Sequence, residues 1–229
     1  MRGAWLLGCG AAAVVAAVLV GCNGLLGIGA ASMEVADAGG EGGVVIPARA
    51  NSCAYYCATM VTNCTQANAE YLGSEDSVAL CMTMCPAVDV GAAIGPSNDD
   101  TLGCRIYYAE QAQSDPATNC RFGGIAGGGK CGTDPCSVFC ALDLQYCNNA
   151  PVNKPAYTAT PDCLAACGGS ADGGSGYPYL TTGPDLLDDT DTLNCRLWHL
   201  ENAYGSMTNG QFHCPHTALV SSMCNDGGT

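Results

Sequence analysis

The sequence predicts an all-α, disulfide-rich fold built from two tandem helical-hairpin units, each followed by a third helix. The 229-residue chain contains 18 cysteines, and many recur at spacings of four and seven residues, which place side chains on one face of a helix. It has 31 Gly but only 3 Phe and 2 Trp, so each helix buries little apolar area and crosslinks must supply much of the stability. We therefore expect the fold to depend on oxidation.

Charge and cysteine content exclude several classes of protein. The chain has 7 Lys and Arg against 21 Asp and Glu, a formal net charge of -14, which repels phosphates and anionic headgroups. Binding to DNA or RNA and polybasic docking to membranes are excluded. Reducing cytosol does not maintain disulfides at this density, so an exported protein is expected.

The N-terminus has the features of a bacterial export signal. No charged residue occurs between Arg2 and Glu34, and residues 5–20 are rich in Ala, Val and Leu over about the length of a signal core. The segment ends in Leu19-Val20-Gly21-Cys22, which resembles a lipobox. It predicts a signal peptide over residues 1–21 and lipidation of Cys22 with palmitate-type acyl chains. An uncleaved anchor, or an ordinary signal cut near Ala30, remains the alternative.

The lipid on Cys22 is expected to be the chain's link to the membrane. A processed lipoprotein carries several acyl chains, which makes its attachment effectively permanent. Asn23 follows Cys22, where an Asp is associated with retention at the inner membrane, so an outer-membrane location is favoured. Residues 22–52, rich in Gly at 39–43 and without helical periodicity, are predicted to form a flexible tether.

The remaining cysteines indicate an internal duplication. Without Cys9 in the signal and Cys22 on lipid, sixteen are left, and they fall into two sets of eight with corresponding members 82 to 94 residues apart. Repeat 1 spans 53–131 and repeat 2 spans 136–229. All sixteen are predicted to form disulfides: Cys53, Cys57, Cys64, Cys81, Cys85, Cys104, Cys120 and Cys131 in repeat 1, and Cys136, Cys140, Cys147, Cys163, Cys167, Cys195, Cys214 and Cys224 in repeat 2.

Each repeat is predicted to begin with a helical hairpin, because C-x3-C-x6-C is followed after 15 or 16 residues by a second C-x3-C. Start signals such as Asp134 before Pro135 and Asp115 before Pro116 support helices. Antiparallel packing of the two helices predicts four pairs: Cys53 with Cys85, Cys57 with Cys81, Cys136 with Cys167, and Cys140 with Cys163. A third helix is expected over 100–113 and over 191–204. The other four cysteines of each repeat allow three pairings.

Two resemblances extend this prediction. The paired C-x3-C hairpin is similar to twin-cysteine helical hairpin proteins of oxidising compartments, a likeness that implies geometry only. The whole arrangement, with a lipobox, Asn23-Gly24-Leu25-Leu26-Gly27-Ile28, tandem Thr-Leu-x-Cys-Arg motifs and His213-Cys214-Pro215-His216, resembles uncharacterised cysteine-rich tandem-repeat lipoproteins of myxobacteria. That family has no established activity to carry over.

The three histidines of the chain, His199, His213 and His216, lie within 18 residues of repeat 2. Three imidazoles are a possible Zn or Cu site. Repeat 1 has Tyr108, Asn119 and Phe122 at the corresponding positions. This substitution favours a structural role for the histidines, so no cofactor is expected and metal binding is the alternative.

Other motifs are interpreted as structural. The acidic group Asp185, Asp188, Asp189 and Asp191 lacks the order of a calcium loop and is expected to cap a helix. Residues 124–130 match the first part of a P-loop, but Cys131 stands where Ser or Thr is required.

Arg105 and Arg196 follow matching cysteines and are expected to neutralise carboxylates or helix C-termini; binding of an anion is the alternative. Tyr177 and Tyr179 are candidates for stacking on a sugar or a partner.

The sequence therefore predicts a membrane-anchored lipoprotein that serves as a structural or recognition module and not as an enzyme. The alternative is an extracytoplasmic Zn- or Cu-binding protein, and a hydrolase with an unrecognised site is a third possibility. A protein or glycan partner is left open.

Overall fold

The structure is a computed structural model that describes residues 44–72, 76–132, 134–149, 152–168, 176–180 and 191–224. The predicted signal peptide, Cys22, most of the predicted tether and Asp185, Asp188 and Asp189 lie outside these residues. The described residues form eight α-helices and no strand, apart from one isolated bridge between Asp89 and Thr101. The predicted all-α, disulfide-rich class is confirmed. No helix among the described residues combines the length and apolar character needed to cross a bilayer.

Repeat 1 contains four helices: α1 (Cys53–Asn63), α2 (Ser77–Met84), α3 (Leu102–Gln111) and α4 (Pro116–Gly123). Each begins after a side chain that accepts a backbone N–H of the first turn, and these caps are Ser52, Asp76, Thr101 and Asp115. Such caps satisfy helix donors that have no intrahelical partner. The predicted third helix is α3, and α4 is the helix signalled by Asp115 and Pro116.

Repeat 2 has the same order of helices: α5 (Pro135–Tyr146), α6 (Thr160–Gly168), α7 (Leu193–Tyr204) and α8 (Met207–His213). Thr192 caps α7 as Thr101 caps α3. Helix α8 was not predicted. Its cap, Ser206, accepts the N–H of Asn209, but no Pro follows it to mark the start.

Eight disulfides join all sixteen cysteines of the two repeats, with Cα–Cα distances of 5.6 to 5.8 Å. The four pairs predicted from the hairpins are present. The structure also selects one of the three open pairings, and it is the same in both repeats: Cys64 with Cys120, Cys104 with Cys131, Cys147 with Cys214, and Cys195 with Cys224. The Cys64–Cys120 bond thereby links the hairpin of repeat 1 to α4, and Cys147–Cys214 links the hairpin of repeat 2 to the turn directly after α8.

The two repeats share one hydrophobic core and belong to one compact unit. Tyr56 and Met60 of α1, Phe139 of α5 and Leu197 of α7 are all fully buried in it. Packing between α2 and α7 joins the repeats.

The last residues of the predicted tether, just before Cys53, contact repeat 1. The guanidinium of Arg49 pairs with Glu110 at 2.6 Å, and this contact is the main cause that lowers the pKa of the Glu110 carboxyl.

Candidate functional site: the histidine cluster of repeat 2

The three histidines come together where α7 packs against α8. His199 lies in α7, His213 is the last residue of α8, and His216 lies in the 3-10 turn Cys214–Thr217 that follows. The Cys147–Cys214 disulfide ties the start of that turn to the end of α5, and Cys195–Cys224 ties the first turn of α7 to the C-terminal segment. The backbone on both sides of the cluster is therefore crosslinked.

His199 contacts both of the other imidazoles. Its Nδ1 lies 2.8 Å from Nδ1 of His213, and the ring centroids of these two are 5.1 Å apart. The centroid of His216 is 4.8 Å from that of His199. His199 is 1% exposed, whereas His213 and His216 are half-buried. The cluster thus extends from the buried His199 to the protein surface at His213 and His216.

Two larger aromatic rings border the cluster. Trp198 packs edge-on against His199 and His213, with centroids 4.9 and 5.7 Å away. Phe212 packs in the same manner against His213 and His216 at 4.9 and 5.3 Å, although 57% of it is exposed. Phe212 therefore covers the two outer imidazoles from the solvent side.

The environment favours the neutral form of all three imidazoles. Burial is the main cause that lowers the pKa of His199, to about 3, and His216, His213 and Arg196 add repulsion. Burial likewise lowers the pKa of His213, with help from His216, and the pKa of His216. Because both rings of the 2.8 Å pair are neutral at pH 7, one Nδ1 donates to the other. Nε2 of His199 is buried without a hydrogen-bond partner.

Repeat 1 fills the equivalent place with rings that have no basic nitrogen. Tyr108 and Phe122 lie 5.2 Å apart, matching His199 and His216, and Tyr107 packs on Tyr108 as Trp198 packs on His199. Asn119, the counterpart of His213, donates to the backbone of its own helix at Asp115 O. The packing position thus requires a pair of rings but not three imidazoles.

A second set of metal-capable atoms also includes His199. One of its nitrogens and the sulfurs of Cys195 and Cys224 all lie within 4.8 Å of one another. These two sulfurs form a disulfide, and the thiolate is the sulfur form that binds metals. This set can act only in a reduced protein.

Both arginines that follow matching cysteines are structural, as predicted. Arg105 donates to the carbonyls of Gly124, Ile125 and Thr101 and pairs with Asp100 at 2.6 Å. Arg196 donates in the same way to the carbonyls of Thr192, Ala218 and Leu219 and pairs with Asp191 at 2.7 Å. Each fully buried guanidinium therefore organises the loop that closes its repeat. Asp191, the described member of the predicted acidic group, pairs with Arg196, and the side chain that caps α7 is that of Thr192.

Tyr177 is buried and packs inside the protein, which contradicts the prediction that it stacks on a sugar or a partner. It is 7% exposed, the guanidinium of Arg196 lies 3.6 Å from its ring centroid, and its hydroxyl contacts that of Tyr157. The Gly-rich loop of repeat 1 is equally structural. Its Gly127, Gly128 and Gly129 have positive φ, and Cys131 at its end bonds to Cys104.

Sequence reasoning missed a buried carboxyl, Asp143 of α5. Its Oδ2 lies 2.5 Å from Oγ1 of Thr217, which also lies 2.7 Å from the carbonyl of Cys214. The Thr217 hydroxyl is the donor toward both acceptors, and because a hydroxyl has one proton it serves one of them at a time. Burial raises the pKa of Asp143 to about 6. The sequence contained a signal for the burial of Asp143, because this residue lies three residues after Cys140 and seven after Cys136, on the cysteine face of the helix.

A shallow cavity between the repeats offers a weaker candidate. It has a volume of about 250 Å³ and is lined by Ala87, Asp89, Asp100, Ser137 and Val138. Asp100 is already engaged by Arg105 at 2.6 Å and accepts from Ser137 at 3.3 Å. The Asp100 carboxylate therefore already contacts side chains of both repeats.

Comparisons with known proteins give no match: no family model, no curated protein and no solved structure is similar to this chain.

Proposed function

We propose that this chain is an exported lipoprotein whose disulfide-stapled helical body acts as a structural or recognition module at the cell envelope, without catalysis. A lipid on Cys22 anchors it, and the outer membrane is its location. Its partner is a protein or a glycan, and the contact with the membrane is made by the lipid.

The observation that carries this proposal is the pairing of all sixteen cysteines around one shared core. Disulfides at this density are maintained in oxidising compartments outside the cytosol. They stabilise a body whose helices bury few large aromatic side chains. Every cysteine among the described residues is bonded, so none supplies the free thiol that a cysteine nucleophile requires.

The test of anchoring compares two cysteines near the N-terminus. The full chain and a Cys22→Ala variant are expressed in a bacterium that processes lipoproteins, and detergent partitioning, mass spectrometry and membrane fractionation follow. We expect wild type in the detergent phase with an N-terminal acyl mass, and Cys22→Ala in the aqueous phase or unprocessed. Cys9→Ala, which changes a cysteine inside the signal, is the matched control and partitions as wild type. Residues 1–21 still attached to wild type, or no acyl mass, would contradict the proposal.

The recognition role is tested separately from the anchor. Envelope proteins and glycans of the producing cell are crosslinked to the intact wild-type chain and to the reduced, alkylated chain. Specific capture of a protein or glycan by the oxidised chain alone supports the recognition role. Turnover of ester, peptide or glycoside substrates by the oxidised chain would instead support the hydrolase alternative.

A further inference from the structure

We propose that His199, His213 and His216 form a binding site for one borderline divalent metal ion, Zn²⁺ or Cu²⁺. This site goes beyond the proposed structural or recognition role and does not depend on it.

The distance between two imidazole nitrogens is the first observation. Nδ1 of His199 and Nδ1 of His213 face each other at 2.8 Å and share one proton. Two nitrogen ligands that each lie about 2.0–2.1 Å from a tetrahedral Zn²⁺ are about 3.3 Å apart. An opening of about half an ångström lets a metal ion take the place of that proton. The donor ring gives its Nδ1 proton to water and takes one up at Nε2, so both rings stay neutral and both Nδ1 atoms donate a lone pair to the ion.

The third imidazole is close enough to join them. The His216 ring lies 4.8 Å from that of His199 and is half-buried, so a rotation of its side chain brings a nitrogen to the ion. Water completes the coordination, because the outer side of the cluster reaches solvent beside Phe212. Imidazole nitrogen is a preferred ligand of both Zn and Cu.

The comparison of the two repeats argues that these nitrogens are not needed for packing. Repeat 1 keeps the same ring contact with Tyr108 and Phe122 and has Asn119 at the third position. In repeat 2 all three positions are imidazoles, and one places a ring nitrogen in the interior without a partner. A buried polar atom left unpaired costs about 1–3 kcal/mol, so hydrocarbon rings would serve the fold better.

The crosslinks hold the three ligands near one another before an ion arrives. Cys214 directly follows His213 and is bonded to Cys147, while Cys195 lies one turn before His199 and is bonded to Cys224. Little backbone entropy is left to be lost on binding, and this favours affinity. The formal net charge of -14 also attracts a cation.

The experiment uses the full oxidised chain, produced without a histidine tag in an oxidising compartment and dialysed against Zn²⁺ or Cu²⁺ at pH 7.5. Bound metal is measured by mass spectrometry, and the spectrum of the Cu²⁺ form is recorded for nitrogen ligation. We expect one ion per chain in the presence of excess Mg²⁺ and Ca²⁺. The variants take the residues of repeat 1: His199→Tyr, His213→Asn and His216→Phe, singly and together. Each single change lowers affinity at least about tenfold, and the triple variant loses binding. Tyr108→Phe, at the matching place in repeat 1, is the control that binds as wild type.

Three outcomes would overturn the proposal. Wild type that binds no more metal than the triple variant shows that there is no site. Binding that survives the triple change, in a chain whose helical CD and disulfide mass match wild type, places the ion elsewhere. Binding that appears only after reduction assigns the ion to His199 with the thiolates of Cys195 and Cys224.

Discussion

The backbone N–H of Tyr71 in repeat 1 donates a 3.0 Å hydrogen bond to Oε2 of Glu201 in repeat 2. Glu201 is fully buried at this junction. Its counterpart in repeat 1, Glu110, instead lies near the surface and binds Arg49 and Tyr55. Glu201 thus joins the two repeats, whereas Glu110 holds the segment that precedes α1.

The two glutamates are expected to differ in their effect on stability. Glu201→Ala leaves a buried N–H unpaired and should lower the free energy of unfolding by about 2–4 kcal/mol. Glu110→Ala removes a partly exposed pair and should cost under about 1 kcal/mol. Urea unfolding with the disulfides intact measures both. Glu201→Gln, which keeps an acceptor, should cost less than Glu201→Ala, and equal costs for the two alanine variants would refute the assigned difference.

The buried arginines are expected not to tolerate lysine. Arg196→Lys loses the planar fork that reaches three carbonyls and Asp191, and we expect a loss of about 2–4 kcal/mol in unfolding free energy. Arg105→Lys should behave alike, because its contacts are the same in kind. Arg49→Lys is the exposed control and should leave the melting temperature close to that of wild type, because an exposed ion pair contributes little to stability. Thermal melts of the three variants decide the matter, and an unaffected Arg196→Lys protein would contradict the role of the fork.

Asp143 is expected to make stability depend on pH in a defined direction. Burial raises the pKa of its carboxyl in the folded protein to about 6, from an ordinary value near 4. Between about pH 4 and pH 6 the folded state therefore binds a proton that the unfolded state has released, so this residue lowers stability as pH rises through that window. The loss is on the order of 3 kcal/mol, at about 1.4 kcal/mol for each pKa unit.

Asp143→Asn removes this contribution while keeping a side-chain oxygen that accepts from Thr217. We expect the difference in unfolding free energy between mutant and wild type to shift in favour of the mutant as pH rises from 4 to 7. Chemical unfolding at four or five pH values measures this difference. A constant difference across the series would show that Asp143 does not titrate in the window.

The connectivity of the second set of disulfides is expected to be the same in both repeats. Proteolysis without reduction should give peptides joined by Cys64–Cys120, Cys104–Cys131, Cys147–Cys214 and Cys195–Cys224. The oxidised chain should be about 16 Da lighter than the reduced chain, two hydrogens for each of the eight bridges.

Reduction should abolish helical CD, because each bridge contributes roughly 2–4 kcal/mol and few large side chains compensate. A Cys64–Cys104 peptide would contradict the connectivity, and free thiols in the native chain would contradict complete oxidation.

The sequence predicts every described helix except α8, and it predicts the inner and outer disulfides of each hairpin. Spacings of four and seven place Cys53 and Cys57 on one stripe of a helix, and antiparallel packing then leaves them one sensible pairing with Cys85 and Cys81. Asp115 before Pro116 marked the start of α4, whereas Ser206 without Pro left α8 unmarked. The helix caps and the cysteine spacings are local signals, because the side chains that form them lie within a few residues of one another.

How these helices meet can be seen only in the folded protein. Glu110 and Glu201 occupy matching positions in the sequence, yet only Glu201 is buried, because only that copy faces the other repeat. The same docking of helices sets the 2.8 Å contact of His199 with His213 and the burial of Asp143. Distances of this kind depend on the packing of elements far apart in the chain, and cysteine spacing does not specify it.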